Sequence, residues 1–293
     1  HSKGESNLPE SYSKKVETAF NAVGQLCVGI DPHAELLQEN GFEDSVAGLK
    51  SFSFELLDAI TQASAIVKPQ VAFFERFGAK GLAVLEEILS EASKRKLFVI
   101  ADAKRGDIGS TMQGYANAWL SKDAPFICDA LTVSPYLGVG AMERAISAAI
   151  ERNKGLFVLA ATSNQEAQNI QSAQSTGKTI AELVAEEVRS LNQLATNSNG
   201  RFGNLGLVIG ATVNLKSLSL DRINNSIASN RTLVLAPGFG FQGAKLADAR
   251  RIFGELAQDV IYTVSRSALR DGITGAARAI AADQQELQTA LAS

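Results

Sequence analysis

The sequence has few of the residues that hold disulfide-rich or metal-bound proteins together. Its 293 residues include two cysteines and two histidines. Cys27 and Cys128 both lie in apolar segments, which is typical of small core residues in a reducing compartment. So few histidines leave little for a His-rich metal site or a Ser-His-Asp triad. We therefore expect neither a disulfide framework nor a bound metal.

The sequence also lacks a long hydrophobic run and a clear excess of either charge. No apolar run approaches the roughly 18 residues that a membrane-spanning helix needs, and residues 1–6 are polar, unlike the apolar core of a signal peptide. The 28 Lys and Arg against 31 Asp and Glu give a formal net charge of −3, which provides no basic surface for nucleic acid. We expect a cytoplasmic protein that binds neither nucleic acid nor membranes.

The chain does have a regular alternation of apolar and amphipathic segments. Short apolar runs rich in β-branched residues predict strands that are covered on both faces, as in a parallel sheet. These predicted strands are 26–30, 65–71, 97–101, 130–133, 155–161, 205–211, 232–235 and 260–264. Amphipathic segments between them predict helices over 51–62, 82–94, 141–152, 179–194 and 246–257.

About eight strand–helix repeats over this length favour an α/β fold of the (β/α)8 TIM-barrel type, and a doubly wound open sheet is the alternative. No change of composition and no Pro/Ser-rich linker divides the chain. We therefore expect one barrel domain over residues 1–293. Its N-terminal segment is expected to be loose at about residues 1–9 and to continue as a covering helix to about Ala22.

Charged residues accompany the first three predicted strands. Asp31 follows the first, Lys68 lies in the second, Asp102 and Lys104 end the third, and Asp107 comes three residues later in a Gly-flanked turn. Barrel active sites lie at the carboxyl ends of the strands, and charges beside apolar strands are costly unless they are paired. Ion pairs between strands would explain a single Asp–Lys pair, whereas this alternating set favours a catalytic site. On an extended strand Asp102 and Lys104 point the same way.

A glycine-rich segment follows the seventh predicted strand. Gly238, Gly240 and Gly243 come after Pro237, and Arg266 follows the eighth strand. Many barrels bind phosphate with backbone amides and side chains at these two positions. The glycines also match the G-x-G-x-x-G of dinucleotide-binding folds, but the motif comes late in the chain and no acidic residue ends the next strand. The segment favours a phosphate site over a dinucleotide site or a purely structural turn.

The segment Asp102-Ala103-Lys104-Arg105-Gly106-Asp107-Ile108 resembles the D-x-K-x-x-D-I signature of the orotidine 5′-phosphate decarboxylase family. The resemblance runs from Asp31 to Arg266 and includes Lys68-Pro69 and the Pro-Gly…Gln-Gly loop. Residues 66–74, 132–136 and 162–164 are similar to the longer bacterial subgroup of that family.

The resemblance implies roles for individual residues. Lys68, Asp102, Lys104 and Asp107 would form a charged catalytic network. The active protein would be a homodimer in which Asp107, Ile108 and Thr111 reach into the partner's site. The implied substrate contacts are Asp31 to a ribose hydroxyl, Ser163 to the pyrimidine, Gln242 and Arg266 to the phosphate, and Pro237 in the same loop.

The implied reaction is decarboxylation of orotidine 5′-monophosphate to uridine 5′-monophosphate, the last step of de novo pyrimidine biosynthesis. It would need no cofactor, because Lys104 would stabilise the carbanion at C6 and then protonate it. Two alternatives stay open. One is a Mg²⁺-dependent sugar-phosphate aldolase or decarboxylase of the same suprafamily, and the other is a non-catalytic barrel that binds a phosphate ligand.

Overall fold

Eight parallel strands close into a barrel in the computed structural model, which describes residues 9–195 and 200–293. They follow one another around the barrel in chain order, and the last pairs with the first. The strands are β1 (Leu26–Ile30), β2 (Ile66–Pro69), β3 (Phe98–Arg105), β4 (Ala130–Val133), β5 (Gly155–Ala161), β6 (Leu205–Ile209), β7 (Val234–Ala236) and β8 (Val260–Val264). The predicted (β/α)8 barrel is confirmed.

Helices lie between the strands and cover the outside of the barrel. They are α1 (Tyr12–Ala22), α2 (Ala34–Glu39), α3 (Val46–Ala63), α4 (Val71–Glu75), α5 (Gly78–Lys94), α6 (Gly109–Trp119), α7 (Glu143–Glu151), α8 (Gln168–Gln171), α9 (Ile180–Leu194), α10 (Ala249–Phe253) and α11 (Ala276–Ala292). A hairpin of two-residue strands, Gln174–Ser175 and Lys178–Thr179, precedes α9. The apolar faces of the helices pack on the strands and form the main core.

One predicted helix is wrong in its extent. The segment 246–257 was expected to be one helix, but the structure has a 3-10 turn (Leu246–Asp248), the short α10, and a second 3-10 segment (Gly254–Asp259). Gly254 adopts a φ of +53° directly after α10. A right-handed helix cannot continue through that backbone conformation, so α10 ends after five residues.

Helix α1 closes the end of the barrel where the strands begin. Tyr12 and Val16 pack into a second apolar cluster inside this end, together with Phe157 and Phe202. Gly155 lies so close to the ring of Tyr12 that any side chain there would collide with it. The predicted covering helix is thus confirmed, whereas residues 1–8 of the predicted loose segment lie outside the described residues. The opposite end of the barrel, where the strands finish, carries the charged residues.

The structure also shows the state of the two cysteines and the character of the helices. Cys27 and Cys128 are both buried and unpaired, and burial raises the pKa of each thiol to about 12. Within residues 9–195 and 200–293, no helix has both the length and the hydrophobicity required to cross a membrane.

Candidate active site

A buried carboxylate joins two ammonium groups at the carboxyl ends of β2 and β3. Asp102 Oδ2 accepts a hydrogen bond from Lys68 Nζ at 2.6 Å, and Asp102 Oδ1 accepts one from Lys104 Nζ at 2.6 Å. The side chains of Lys68 and Asp102 are 7% and 8% exposed, and that of Lys104 is 44% exposed. The structure therefore brings three of the predicted residues together and leaves the side chain of Lys104 partly exposed.

The opposite charges of this cluster keep one another ionised. Burial alone would raise the pKa of the Asp102 carboxyl, but the nearby charges of Lys68 and Lys104 outweigh burial and hold that pKa well below its usual range. Burial alone would likewise lower the pKa of Lys68, but the charges of Asp102 and Asp31 raise it above its usual value. Asp102 and Lys68 are therefore ionised at neutral pH, although both are nearly enclosed.

The end of β3 that carries Asp102 and Lys104 is not a regular extended strand. An extended strand was expected to point both side chains the same way, but Lys104 has a left-handed backbone with a φ of +51°. The pairing of β3 with β4 also shifts register between Ala101 and Arg105. The two side chains do meet, at an end of β3 whose backbone and pairing are irregular.

Two further neighbours of Asp102, for which the family resemblance implied no role, lie in segments 66–74 and 132–136. Thr132 on β4 donates a hydrogen bond to Asp102 Oδ1 at 2.8 Å. The hydrogen-bonding partners of Gln70 assign its side-chain nitrogen to the side that faces Asp102, where it would donate to the backbone oxygen at 2.8 Å and to Oδ2 at 3.1 Å. The available signal was a polar residue within an otherwise apolar strand, since β4 reads Ala-Leu-Thr-Val.

Asp31 lies at the end of β1 with one oxygen unused. Its Oδ2 accepts a hydrogen bond from the Ser265 hydroxyl, and its Oδ1 is buried without a hydrogen-bond partner among the described residues. Buried acceptors of this kind are costly unless a donor reaches them. Asp31 Oδ1 is therefore an unused acceptor for a hydrogen bond from a ligand hydroxyl.

Arg266 and the glycine-rich loop meet after β7 and β8. The Arg266 guanidinium lies 4.5 Å from the ring centroid of Phe241, which is in the loop, and donates a hydrogen bond to Glu39 of α2 at 2.8 Å. Gly240 has a φ of +86°, and a side chain there would collide with Ser267. Arg266, Phe241, Glu39 and Ser267 line one cavity of about 490 Å³. The loop thus requires glycine at position 240. Arg266, which lies beside the loop, already forms an ion pair with Glu39.

The other predicted contacts lie farther around the rim. Ser163 is exposed and lines a cavity of about 380 Å³ with Thr212 and Val213. Pro237 accepts a hydrogen bond from the Ala211 amide at 2.9 Å. Gln242 is exposed, and its Oε1 approaches Gly238. The structure places these residues at the same end of the barrel as Lys104, without direct hydrogen bonds to the charged cluster.

The turn before α6 contains Asp107 and Ile108, and the first turn of α6 contains Thr111. Asp107 Oδ1 accepts a hydrogen bond from the Ile108 amide at 2.7 Å. No ion pair or hydrogen bond within the described chain joins Asp107 to Asp102, Lys68 or Lys104. Ile108 and Thr111 are exposed. The structure of one chain therefore does not bring Asp107 into that chain's own cluster.

The described residues contain no group of three or more His, Cys, Asp and Glu side chains placed to hold a metal ion.

A closed parallel barrel with interleaved helices and a charged cluster at the carboxyl ends of its strands defines the class of (β/α)8-barrel enzymes. The model of the "Orotidine 5'-phosphate decarboxylase / HUMPS family" matches residues 24–282, and the chain belongs to this family. The resemblance carried by the D-x-K-x-x-D-I segment is thereby confirmed.

Curated relatives match over almost the whole chain. The chain is 45% identical over 288 residues to orotidine 5′-phosphate decarboxylase of Streptomyces coelicolor, covering 96% of this chain and 99% of the relative. It is 43% identical over 263 residues to the protein of the same name from Nocardioides sp., covering 88% of this chain and 92% of the relative.

Solved structures agree with the fold. A crystal structure of a "putative orotidine 5'-phosphate decarboxylase" from Streptomyces avermitilis superposes with a TM-score of 0.88 at 42% identity and covers 97% of each chain. The Leishmania donovani OMP decarboxylase superposes with a TM-score of 0.76 at 26% identity, covering 97% of this chain and 100% of that one.

Proposed function

We propose that the protein decarboxylates orotidine 5′-monophosphate to uridine 5′-monophosphate and carbon dioxide, the last step of de novo pyrimidine biosynthesis. The observation that carries this proposal is the Lys68–Asp102–Lys104 cluster, in which a buried carboxylate holds an accessible ammonium. Relatives that bear the name of this activity cover nearly the whole chain, which supports the same assignment.

In the proposed mechanism Lys104 stabilises and protonates the carbanion. The bond between C6 and the carboxylate carbon breaks, its electron pair stays on C6, and carbon dioxide leaves. A preorganised ammonium beside C6 offsets the negative charge that develops there. Lys104 then transfers one proton to C6 and is reprotonated from solvent, to which it is partly exposed. This chemistry is proposed to need no cofactor.

Asp102 would lower the activation barrier further by repelling the substrate carboxylate. Two unit charges about 4 Å apart interact by roughly 4 kcal/mol at an effective dielectric constant of about 20. The repulsion disappears when neutral carbon dioxide departs, provided that binding elsewhere holds the substrate in place. We assign the larger share of the acceleration to Lys104, because it stabilises the carbanion directly. The repulsion by Asp102 acts only while binding elsewhere holds the substrate in place, and Asp102 also binds the two ammonium groups.

Binding free energy from the remote parts of the substrate would hold this geometry. We assign the phosphate to Arg266 and Gln242 in the loop that Pro237 begins, and the pyrimidine edge to Ser163. A ribose hydroxyl would donate to Asp31, whose Oδ1 is a buried acceptor without a partner in the described chain. Closure of the glycine-rich loop over the phosphate would exclude water from the cluster.

The active form is proposed to be a homodimer in which Asp107, Ile108 and Thr111 enter the partner's site. Three large apolar side chains support this assignment, because Ile108, Tyr136 and Leu137 are all exposed on the loops after β3 and β4. The two loops are neighbours, because the Ser134 amide donates to the Arg105 carbonyl at 2.8 Å, and exposed apolar groups on neighbouring loops are typical of association surfaces. We propose one barrel domain per chain.

We also propose that the protein works in the cytoplasm. The buried, unpaired Cys27 and Cys128 support this location, because free thiols stay reduced there.

The test is to incubate the protein with orotidine 5′-monophosphate in the presence of a chelator and to follow the ultraviolet spectrum. We expect the orotate absorbance to disappear at a rate that the chelator does not change. Loss of activity with the chelator would favour the Mg²⁺-dependent aldolase or decarboxylase. Calorimetric binding of the nucleotide without release of carbon dioxide would favour the non-catalytic barrel.

A further inference from the structure

One buried hydroxyl connects the backbone of Lys104 to the carboxylate that its own side chain binds. Thr132, 1% exposed on β4, accepts a hydrogen bond from the Lys104 amide at 3.0 Å and donates one to Asp102 Oδ1 at 2.8 Å. Lys104 Nζ donates to the same Oδ1 at 2.6 Å. The three contacts form a closed ring that begins and ends at Lys104.

We infer that Thr132 is a positioning residue that sets where the Lys104 ammonium stands. This inference rests on the proposed function, in which that ammonium is the reacting group. Thr132 does not need to touch the substrate in this role, because it acts through Lys104 and Asp102. Neither the family signature nor the charge pattern draws attention to it.

The register of β3 against β4 shows why a side chain must take this role. Ala101 pairs with Leu131 and Arg105 pairs with Val133, so three residues of β3 lie opposite Thr132 alone. The extra residues form a bulge, a device that redirects side chains at the ends of barrel strands. Within this bulge the Lys104 amide donates to the Thr132 hydroxyl in place of a carbonyl of the neighbouring strand.

The bulge also leaves Lys104 in a conformation that needs support. Its φ of +51° is unfavourable for a residue with a side chain, and such residues persist only where their surroundings hold them. The hydrogen bond to Thr132 supplies one such restraint.

The direction of the Thr132 hydroxyl proton follows from the same contacts. Because Oγ1 accepts from the Lys104 amide, its own proton is directed to Asp102. The carboxylate is therefore held on one side by a neutral donor and on the other by Lys68 at 2.6 Å. With both its backbone and its carboxylate partner fixed, the Lys104 side chain has few alternative positions.

The decisive comparison is between Thr132→Val, which keeps the shape but removes the hydroxyl, and Thr132→Ser, which keeps the hydroxyl. We expect Thr132→Val to lower kcat about 10- to 100-fold, because misplacing a reacting group by about 1 Å has an effect of that size. KM and the Kd of uridine 5′-monophosphate should stay within about threefold, since the phosphate contacts are untouched. Thr132→Ser should restore kcat to within about fivefold of the unmodified enzyme, because the hydroxyl still reaches both partners.

A matched control is Thr263→Val, the same chemical change at another buried barrel threonine. The Thr263 hydroxyl makes no hydrogen bond to the charged cluster in the described chain, so kcat should be unchanged. All assays are run well below the melting temperature of each variant. A role in stability alone would shift the melting temperature and leave kcat at the lower temperature intact.

Three outcomes would overturn the inference: an unchanged kcat in Thr132→Val, equal losses in the Val and Ser variants, or a change in KM alone. If Thr132→Val does not fold, Thr132→Ala against Thr132→Ser makes the same comparison at smaller size. Lys104→Ala is assayed in parallel. Normal turnover there would remove the proposed mechanism, whereas an inactive Lys104→Ala beside a fully active Thr132→Val would remove only the role of Thr132.

Discussion

The Glu39 carboxylate forms an ion pair with the Arg266 guanidinium, with 2.8 Å between Arg266 Nη2 and Glu39 Oε1. Arg266 is the residue to which we assign the substrate phosphate, so a ligand must compete with an anion of the protein itself. The two residues are 227 positions apart in the chain and meet because β1 and β8 are neighbours in the closed barrel.

Replacing Glu39 with Gln should therefore tighten binding of phosphorylated ligands. The change frees Arg266 and removes a like charge from the phosphate site. Exposed ion pairs are worth about 0.2–1 kcal/mol, so KM and the Kd of uridine 5′-monophosphate should fall by no more than about fivefold at low salt. Titration calorimetry measures the Kd, and Glu35→Gln in the same helix is the matched control. An affinity that is the same in both variants would contradict competition by Glu39.

Removing Arg266 should act on the phosphate selectively. We expect Arg266→Ala to lower kcat/KM for orotidine 5′-monophosphate by about 3 kcal/mol, roughly 150-fold, the upper value for a hydrogen bond to a charged group. With the nucleoside orotidine the same variant should lose almost nothing. Steady-state assays with both substrates give the comparison, and equal losses would refute the phosphate assignment.

Lys104→Ala should abolish turnover and leave the fold intact. The Lys104 side chain is partly exposed, and Asp102 keeps Lys68 and Thr132 as donors, so circular dichroism should be unchanged and the melting temperature should fall only slightly. Decarboxylation is followed by the loss of orotate absorbance. A variant that turned over at the normal rate would falsify the proposed mechanism.

Stability should depend on pH through Asp102 and Lys68. The folded-state pKa of Asp102 is depressed, so its contribution is present above its unfolded pKa of about 3.9 and is lost as pH falls below that value. The folded-state pKa of Lys68 is raised, so its contribution is present below about pH 10.4 and is lost as pH rises further.

Urea unfolding of the unmodified protein and of Asp102→Asn measures this dependence. The difference in the free energy of unfolding should be largest near neutral pH, shrink in acid as Asp102 is protonated, and shrink in alkali as Lys68 loses its proton. A difference that stays constant from pH 3 to 7 would contradict the assignment of the depressed pKa to Asp102.

The proposed dimer predicts that two inactive variants complement each other. In a mixed dimer of Lys104→Ala and Asp107→Ala, one site carries both changes and the other carries neither. Random pairing of equal amounts should therefore restore about a quarter of the normal number of active sites. Activity is measured after co-refolding, with each variant alone as the control. Mixed dimers without activity would show that Asp107 does not act across the interface.

Much of the barrel could be predicted from local sequence. The strands 26–30, 130–133, 155–161 and 260–264 were predicted with the bounds that the structure has, because strands covered on both faces read as continuous apolar runs. The helical segment 246–257 was misjudged because its amphipathic pattern continues past Gly254, whose backbone conformation ends α10. No role was predicted for Glu39, since nothing near it in the sequence indicates that it contacts Arg266.

The sequence by itself determined which residues form strands and which charges follow them, because side-chain alternation and strand direction are properties of neighbouring residues. It thereby specified that Lys68, Asp102 and Lys104 would lie at one end of a barrel. Only the tertiary structure decided how they meet. The bulge opposite Thr132 and the left-handed backbone of Lys104 depend on the register between β3 and β4, and register is set by packing across the whole closed sheet.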